Sequence, residues 1–261
     1  MSTPHSVQPL RSQRSRRPQR PQRPPARRRM GTVLRFPAGM ALVTWRYLWR
    51  VTALHRSEAE GDSRDLPPRI PPDLTDACSQ FLADGSGPMF HRRFSVRIED
   101  ADLTAPELMD AVVADFNRAA PSSAARFHKT VGTAGIAQVR DEYRVQMPGP
   151  WDGPVRVVHR DPTSLRFATL RGHLEAGQIE FRSAPADDGT LRFEVEAWSR
   201  GGDRWADLLY SRLRMAKEMQ LNMWVHFCLK AARIAGGRVR DGVTIDTRAV
   251  PEEVCGGVPG C

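Results

Sequence analysis

Three side chains combine proton-transfer chemistry with a suitable setting. Asp141 lies between Val139 and Tyr143 in the stretch 136–147. There Ala137, Val139, Tyr143, Val145 and Met147 alternate with Gln138, Arg140, Glu142, Arg144 and Gln146. A carboxylate among apolar neighbours can give or take a proton near neutral pH. A bulge that turns Asp141 outward, or an inward arginine that pairs with it, would remove that role. His159 follows Val155 and Val157 on one face of the 154–160 strand. Its imidazole would then enter the same interior, as an acid–base group or as a hydrogen-bonded core histidine. His173 and Glu175 occupy the turn from Arg171 to Gly177, where sheet-end loops often carry binding groups. The alternative there is that Gly172 and Gly177 set the turn and His173 hydrogen-bonds within it. An acid–base enzyme reading needs at least two of Asp141, His159 and His173 to meet at one void. Trp198, Trp205 and Trp224 are aromatic, and either wall a cavity or pack a core.

Other chemistry lacks its residues. No GxGxxG, Walker A, HExxH or GxSxG pattern occurs, so nucleotide, metalloprotease and simple hydrolase readings have no support. Cys78, Cys228, Cys255 and Cys261 include no CxxC pair, and no histidine pair has zinc-finger spacing. No metal or cofactor is implied. Cys228 reads as a buried thiol in an apolar helix. Cys255 and Cys261 bound a Gly/Pro-rich tail that reads as solvated, with a tail disulfide or metal clip as the alternatives. The pattern suits a reducing cytoplasm.

The elements that must position these groups follow from periodicity. Phe90, Phe94, Val96 and Ile98 share one strand face from Met89 onward. Thr104 and Glu107 form a capping box, and Leu108, Val112 and Phe116 line the helix it opens, which Pro121 ends. Strands are predicted over 136–147, 154–160, 163–171, 177–184 and 190–199, with Asp187-Asp188-Gly189 as a hairpin turn. Each pairs an apolar face with a charged one, which predicts an antiparallel sheet with one face in solvent. Residues 203–236 predict one long helix with Trp205, Leu209, Leu213, Ala216, Met223, Trp224, Phe227, Ala231 and Ile234 as its stripe, stopped by Gly236-Gly237. The helix over 104–119 is too short to cover the apolar sheet face alone, so the long helix is expected to cover it. The fold class is therefore α+β: a curved antiparallel sheet wrapped around a long C-terminal helix, with a cavity between them.

Charge separates the chain into unequal parts. Lys+Arg is 39 and Asp+Glu is 30. Residues 1–30 hold nine arginines and no acid, so the remainder is neutral. That excludes a basic nucleic-acid-binding body. The Arg/Pro-rich arm reads as disordered, with weak charge-driven contact to anionic membrane or nucleic acid. Met30 is a second candidate start. Residues 38–56 are helix-like, with Trp45 and Trp49 beside Arg46 and Arg50. Such a helix packs on its own domain or lies on a membrane surface. Residues 57–88 read as an irregular Pro-rich linker, so 31–88 is taken as amphipathic helix plus linker. The domain proper is 89–236, and 237–261 is a flexible tail. No stretch is long and apolar enough for an ordinary transmembrane helix.

The stretch Phe167-Ala-Thr-Leu-Arg-Gly-His-Leu-Glu-Ala-Gly-Gln-Ile-Glu-Phe181 resembles the signature of an uncharacterised family, the domain of unknown function nineteen-ninety. Arg192–Arg200 and the last helix are similar too, and the resemblance covers roughly 88–236. Leu174 departs from it, where the family usually has Pro. The resemblance implies the START-like, Bet v 1-like superfamily and an internal cavity for an apolar small molecule or lipid. It does not imply one activity. The residues expected around such a guest are Asp141, Tyr143, His159, Thr169, His173, Glu175 and Trp224. The other readings are a cavity enzyme and a protein that meets membrane through its arm and Trp-rich helix.

Overall fold

A computed structural model describes residues 53–121, 125–147, 152–201 and 214–255. The Arg-rich arm, most of the 38–56 helix, Trp205, Leu209 and Leu213, and the last residues of the tail lie outside the described residues.

In chain order the elements are β1 (Leu54–Glu60), β2 (Ser86–Glu99), α1 (Ala105–Ala114), β3 (Arg126–Val131), β4 (Glu142–Gln146), β5 (Asp152–Asp161), β6 (Ser164–Thr169), β7 (Glu175–Pro185), β8 (Leu191–Gly201), α2 (Arg214–Ile234), β9 (Arg238–Val250) and α3 (Glu252–Cys255). The strands form one sheet in the order β1-β9-β2-β8-β7-β6-β5-β4-β3. Every pairing is antiparallel except β1 with β9.

Side chains from β9 (Val243, Ile245) and β3 (Phe127) share one apolar core with those of the strands between. Eight strands from β9 to β3 would span roughly 34 Å if flat, so this sharing requires the sheet to bend around its cover. The cover is double. α2 lies across β2, β8 and β9, whereas α1 sits on β7 and touches α2. The long helix was expected to cover the 136–199 sheet unaided. Instead α1 contributes Leu108, Met109, Val112 and Val113, all buried. α1 begins as its capping box predicts, with the Glu107 carboxylate accepting from the Thr104 N–H at 2.8 Å and hydroxyl at 2.7 Å. α2 ends at Ile234, and the chain turns at Gly236, whose φ of 76° suits glycine and where a Cβ would lie 2.0 Å from Asp102 Oδ2.

Four sequence expectations need correction. Residues 238–250, expected in a flexible tail, form β9 between β1 and β2. Val243, Ile245, Thr247 and Val250 are buried at a period close to two, a strand pattern obscured by the flanking glycines. Residues 54–60, split between a helix end and a linker, are β1. The 136–147 strand shortens to β4: Gly132, Gly135 and Arg140 take positive φ, so 132–141 is a loop. Its missing strand partner is β3, which pairs Phe127 with Val145.

The fourth correction concerns the outer sheet face, expected in solvent. The Pro-rich stretch after β1 lies on it as a strap. Gln178 Nε2 donates to Pro68 O at 2.9 Å, Gln80 N to Thr169 O at 3.1 Å, and Arg171 N to Cys78 O at 2.8 Å. Ile70, Leu74 and Phe81 pack on Val158 and Ala168, and Leu82 joins Met89, Trp198, Val250 and Cys255. Beneath the strap, Arg166, Glu180, Glu194, Glu196 and His91 are buried. Their charges are matched: Glu196 meets His91 at 2.8 Å, Arg93 at 3.0 Å and Arg182 at 2.6 Å, while His91 also meets Asp65 of the strap at 3.0 Å. Buried charges require such partners.

Candidate functional site

The interior between sheet and helices is aromatic. Strand alternation aims Phe127, Tyr143, Phe167, Phe181 and Phe193 inward, and Phe116 follows α1 onto the same face. α2 adds Trp224 and Phe227 one helical turn apart. Phe181 is the hub: its ring centroid lies 4.9 Å from Phe227 and 5.7 Å from both Phe116 and Trp224. Phe116 stands 5.3 Å from Phe167 and edge-on to Tyr143 at 5.7 Å. These offset and edge-to-face contacts suit the ring quadrupoles.

Two polar atoms mark this interior. Trp224 is 7% exposed, and its indole Nε1 is buried with no hydrogen-bond partner among the described residues. A buried indole N–H normally finds an acceptor. Tyr143 is buried beside the Lys129 ammonium, 5.5 Å from the ring centroid. Burial pushes the phenol pKa above its ordinary value, against the pull of Lys129. Trp224 and Tyr143 were both singled out from the sequence.

Asp141 occupies the position just before β4, at the end of the 132–141 loop. Its carboxylate is buried, 2.7 Å from Lys129 Nζ and 2.9 Å from the Gln138 N–H. Lys129 also donates to the carbonyls of Thr133 at 2.8 Å and Gly135 at 3.1 Å. Burial would lower the Lys129 pKa, but Asp141 and Tyr143 outweigh it and hold the ammonium above its ordinary range. The sequence offers an inward arginine as the partner of Asp141; the structure supplies a lysine instead. Lys129 escaped notice because β3 carries only Phe127 as a buried apolar position, so no alternation signalled a strand.

His159 faces outward. A register shift between Val157 and His159 puts Val158 on the strap side and sets His159 opposite Arg166. Its side chain is 41% exposed, and Nε2 meets Asp161 Oδ2 at 3.0 Å. Burial opposes ionisation of Asp161, but N–H and hydroxyl donors from Thr163 and Ser164, together with His159, hold it well below the carboxylate range.

The motif 167–181 folds as the β6–β7 turn and its anchors. His173 Nδ1 is 2.9 Å from the Glu175 N–H. Burial lowers the imidazole pKa, against the nearby Glu175 carboxylate and its backbone bond. A Cβ on Gly153 would approach the His173 ring within 2.8 Å, so β5 brings a glycine there. Thr169 Oγ1 accepts from the Gly177 N–H at 2.9 Å and lies 3.2 Å from Gln80 O. Gly177 has no room for a side chain, since its Cβ would fall 1.9 Å from Trp198 O. Ser199 Oγ donates to Glu175 Oε1 at 3.4 Å. No hydrogen bond joins any two of Asp141, His159 and His173 among the described residues; each is bonded within its own loop or strand end.

Among the described residues, no group of three or more His, Cys, Asp or Glu side chains could hold a metal ion, and no helix is long and apolar enough to cross a membrane.

The family described as "Domain of unknown function (DUF1990)" matches residues 107–246. No curated protein matches the chain. Solved structures that resemble it include a hypothetical protein from Helicobacter pylori, at 12% identity and a TM-score of 0.41 over 54% of this chain and 87% of that one. Another is a conserved protein from Geobacillus kaustophilus, at 11% identity and a TM-score of 0.40 over 57% and 99%. A third is a norcoclaurine synthase point mutant from Thalictrum in complex with a transition state analogue, at 8% identity and a TM-score of 0.40 over 57% and 98%. The bent sheet and the helices it holds make up a helix-grip arrangement.

Proposed function

The chain belongs to the DUF1990 family, and from that premise we propose that it binds an apolar small molecule or lipid between the bent sheet and α2. One observation carries the reading: the Trp224 indole N–H is buried in an aromatic interior with no acceptor among the described residues. An apolar guest bearing one acceptor oxygen, a carbonyl, hydroxyl or carboxylate, would supply an acceptor that the described residues do not. The guest's hydrocarbon would lie among Phe181, Phe227 and Phe116, and its oxygen at Trp224. Tyr143 offers a second polar contact. Thr169, His173 and Glu175 act in this reading by holding the β6–β7 turn, and Asp141 by holding the neighbouring loop.

The reading is tested by titrating the labelled protein with amphiphiles of matched chain length that carry or lack an acceptor oxygen. The indole resonance of Trp224 is followed by NMR. Saturable movement with the oxygenated series, weaker with the hydrocarbon, is expected. An indole resonance unmoved by every amphiphile would refute it.

A further inference from the structure

The exposed large aliphatic side chains of the described residues are Val131, Ile136 and Val139, at 52%, 43% and 39% exposure. All three fall on the β3–β4 loop and the strand end that opens it. The loop is held rigidly: Lys129 Nζ donates to Thr133 O and Gly135 O and pairs with Asp141. Gly132 cannot carry a side chain there, because its Cβ would lie 1.9 Å from Asp141 Oδ1. At its centre Ala137 is fully buried in the main core, with its N–H directed to Val113 O. Anchored so, the loop holds Ile136 and Val139 in water, on either side of that plug. Single exposed aliphatic side chains are ordinary on a surface, but here all three of the described residues gather on one short braced loop.

The charge around the loop names what it meets. Between Asp115 and Asp141 the sequence has no acidic residue, and it has Arg118, Arg126, Lys129 and Arg140, with His128 among them. Lys129 is spent on Asp141, and Arg140 pairs with Asp73 at 2.8 Å. Arg126 and His128 remain exposed along β3, as does Arg144 on β4, which is 3.8 Å from Asp152. Glu142 stands opposite Val131, and Arg144 stands opposite His128 farther along the β3–β4 pair; on an anionic bilayer the aliphatic tips would enter the headgroup boundary while Arg126 and Arg144 meet lipid phosphate. A second copy of the chain would bring the same cations against themselves.

We propose that the 131–139 loop is a membrane-docking finger for anionic lipid. This loop is a different segment of the chain from the Arg-rich arm, and the proposal does not depend on what the interior binds.

The test uses the full chain, so that the arm is the same in every sample. Pelleting is measured with phosphatidylcholine vesicles that contain or lack phosphatidylglycerol. Ile136→Asp with Val139→Asp should weaken partitioning onto the anionic vesicles by roughly tenfold, with an unchanged melting temperature. Ile136→Trp should strengthen it, because indole favours the interface. Wild-type protein that does not pellet overturns the proposal, as does partitioning unmoved by both variants. So does a finding that the aspartates instead dissociate a dimer in sedimentation.

Discussion

Lys129 Nζ stands 2.7 Å from Asp141 Oδ2, and the same ammonium holds the carbonyls of Thr133 and Gly135. One ion pair therefore sets the whole loop from the end of β3 to the start of β4. Both partners are largely sealed from water, at 16% and 7% side-chain exposure. Removing one leaves the other charged and buried. Asp141→Ala should cost about 3 kcal/mol in urea unfolding. Replacing both partners, with Lys129→Met and Asp141→Leu, should cost less than the single change. A double variant less stable than Asp141→Ala would show that the pair is held by something else.

Gly153 and His173 make a second testable contact. A methyl at 153 would lie 2.8 Å from the imidazole Cδ2 and Nε2. Gly153→Ala should destabilise by roughly 1–3 kcal/mol through overpacking. Most of that should disappear when His173→Ala is added. The sign of the pH effect is fixed as well. Burial holds the folded imidazole pKa below its ordinary 6.5. The contribution is complete above 6.5 and is lost as pH falls through the folded value, because the unfolded chain takes up the proton first. NMR titration of His173 should give a midpoint below 6.5, and a midpoint above it would contradict the account.

Glu196 sets an acid limit. Burial alone would raise its pKa, but hydrogen bonds from His91 and Arg93 and the charges of Arg93 and Arg182 outweigh that and bring it from 4.5 to about 2. The stability it contributes is present above 4.5 and lost as pH falls through about 2. Glu196→Gln should therefore be less stable than wild type at neutral pH, with the gap narrowing between pH 4.5 and 2. A gap constant across that window would exclude the ionised carboxylate as the cause.

Phe181 and Trp224 separate folding from binding. Phe181→Ala empties the hub of the aromatic interior and should cost about 3–5 kcal/mol. Trp224→Phe keeps most of the ring volume and removes the N–H. It should cost less than about 1.5 kcal/mol and weaken an oxygenated guest selectively. Calorimetric melting and guest titration of both variants check this split.

Much of the fold was legible because burial imposes periodicity. β5 to β8 and α1 emerged from alternation and a capping box, and the 167–181 motif identified the family. What escaped had a physical reason in each case. β9 sits between two glycines and a Gly/Pro tail, so its alternating Val243, Ile245 and Thr247 looked like loop. β3 has one buried large side chain, Phe127, too few to show a period. The strap was read as linker because its proline-rich backbone forms no long element. It binds through carbonyls, such as that of Pro68, and through scattered apolar anchors such as Ile70 and Leu74. The inward placement of Trp224 and Tyr143 was legible from the apolar stripe and strand face on which they lie, and both are buried. The Val157–His159 bulge turns His159 outward, and a one-residue shift of that kind leaves no trace in composition.

We propose that an apolar guest with an acceptor oxygen lies against Trp224. Native mass spectrometry of the protein purified from its own host tests it most directly, with wild type and Trp224→Phe side by side. A bound apolar mass is expected on wild type and should be depleted on the variant. Bare polypeptide for the wild type, or the same guest held equally by both, would contradict it.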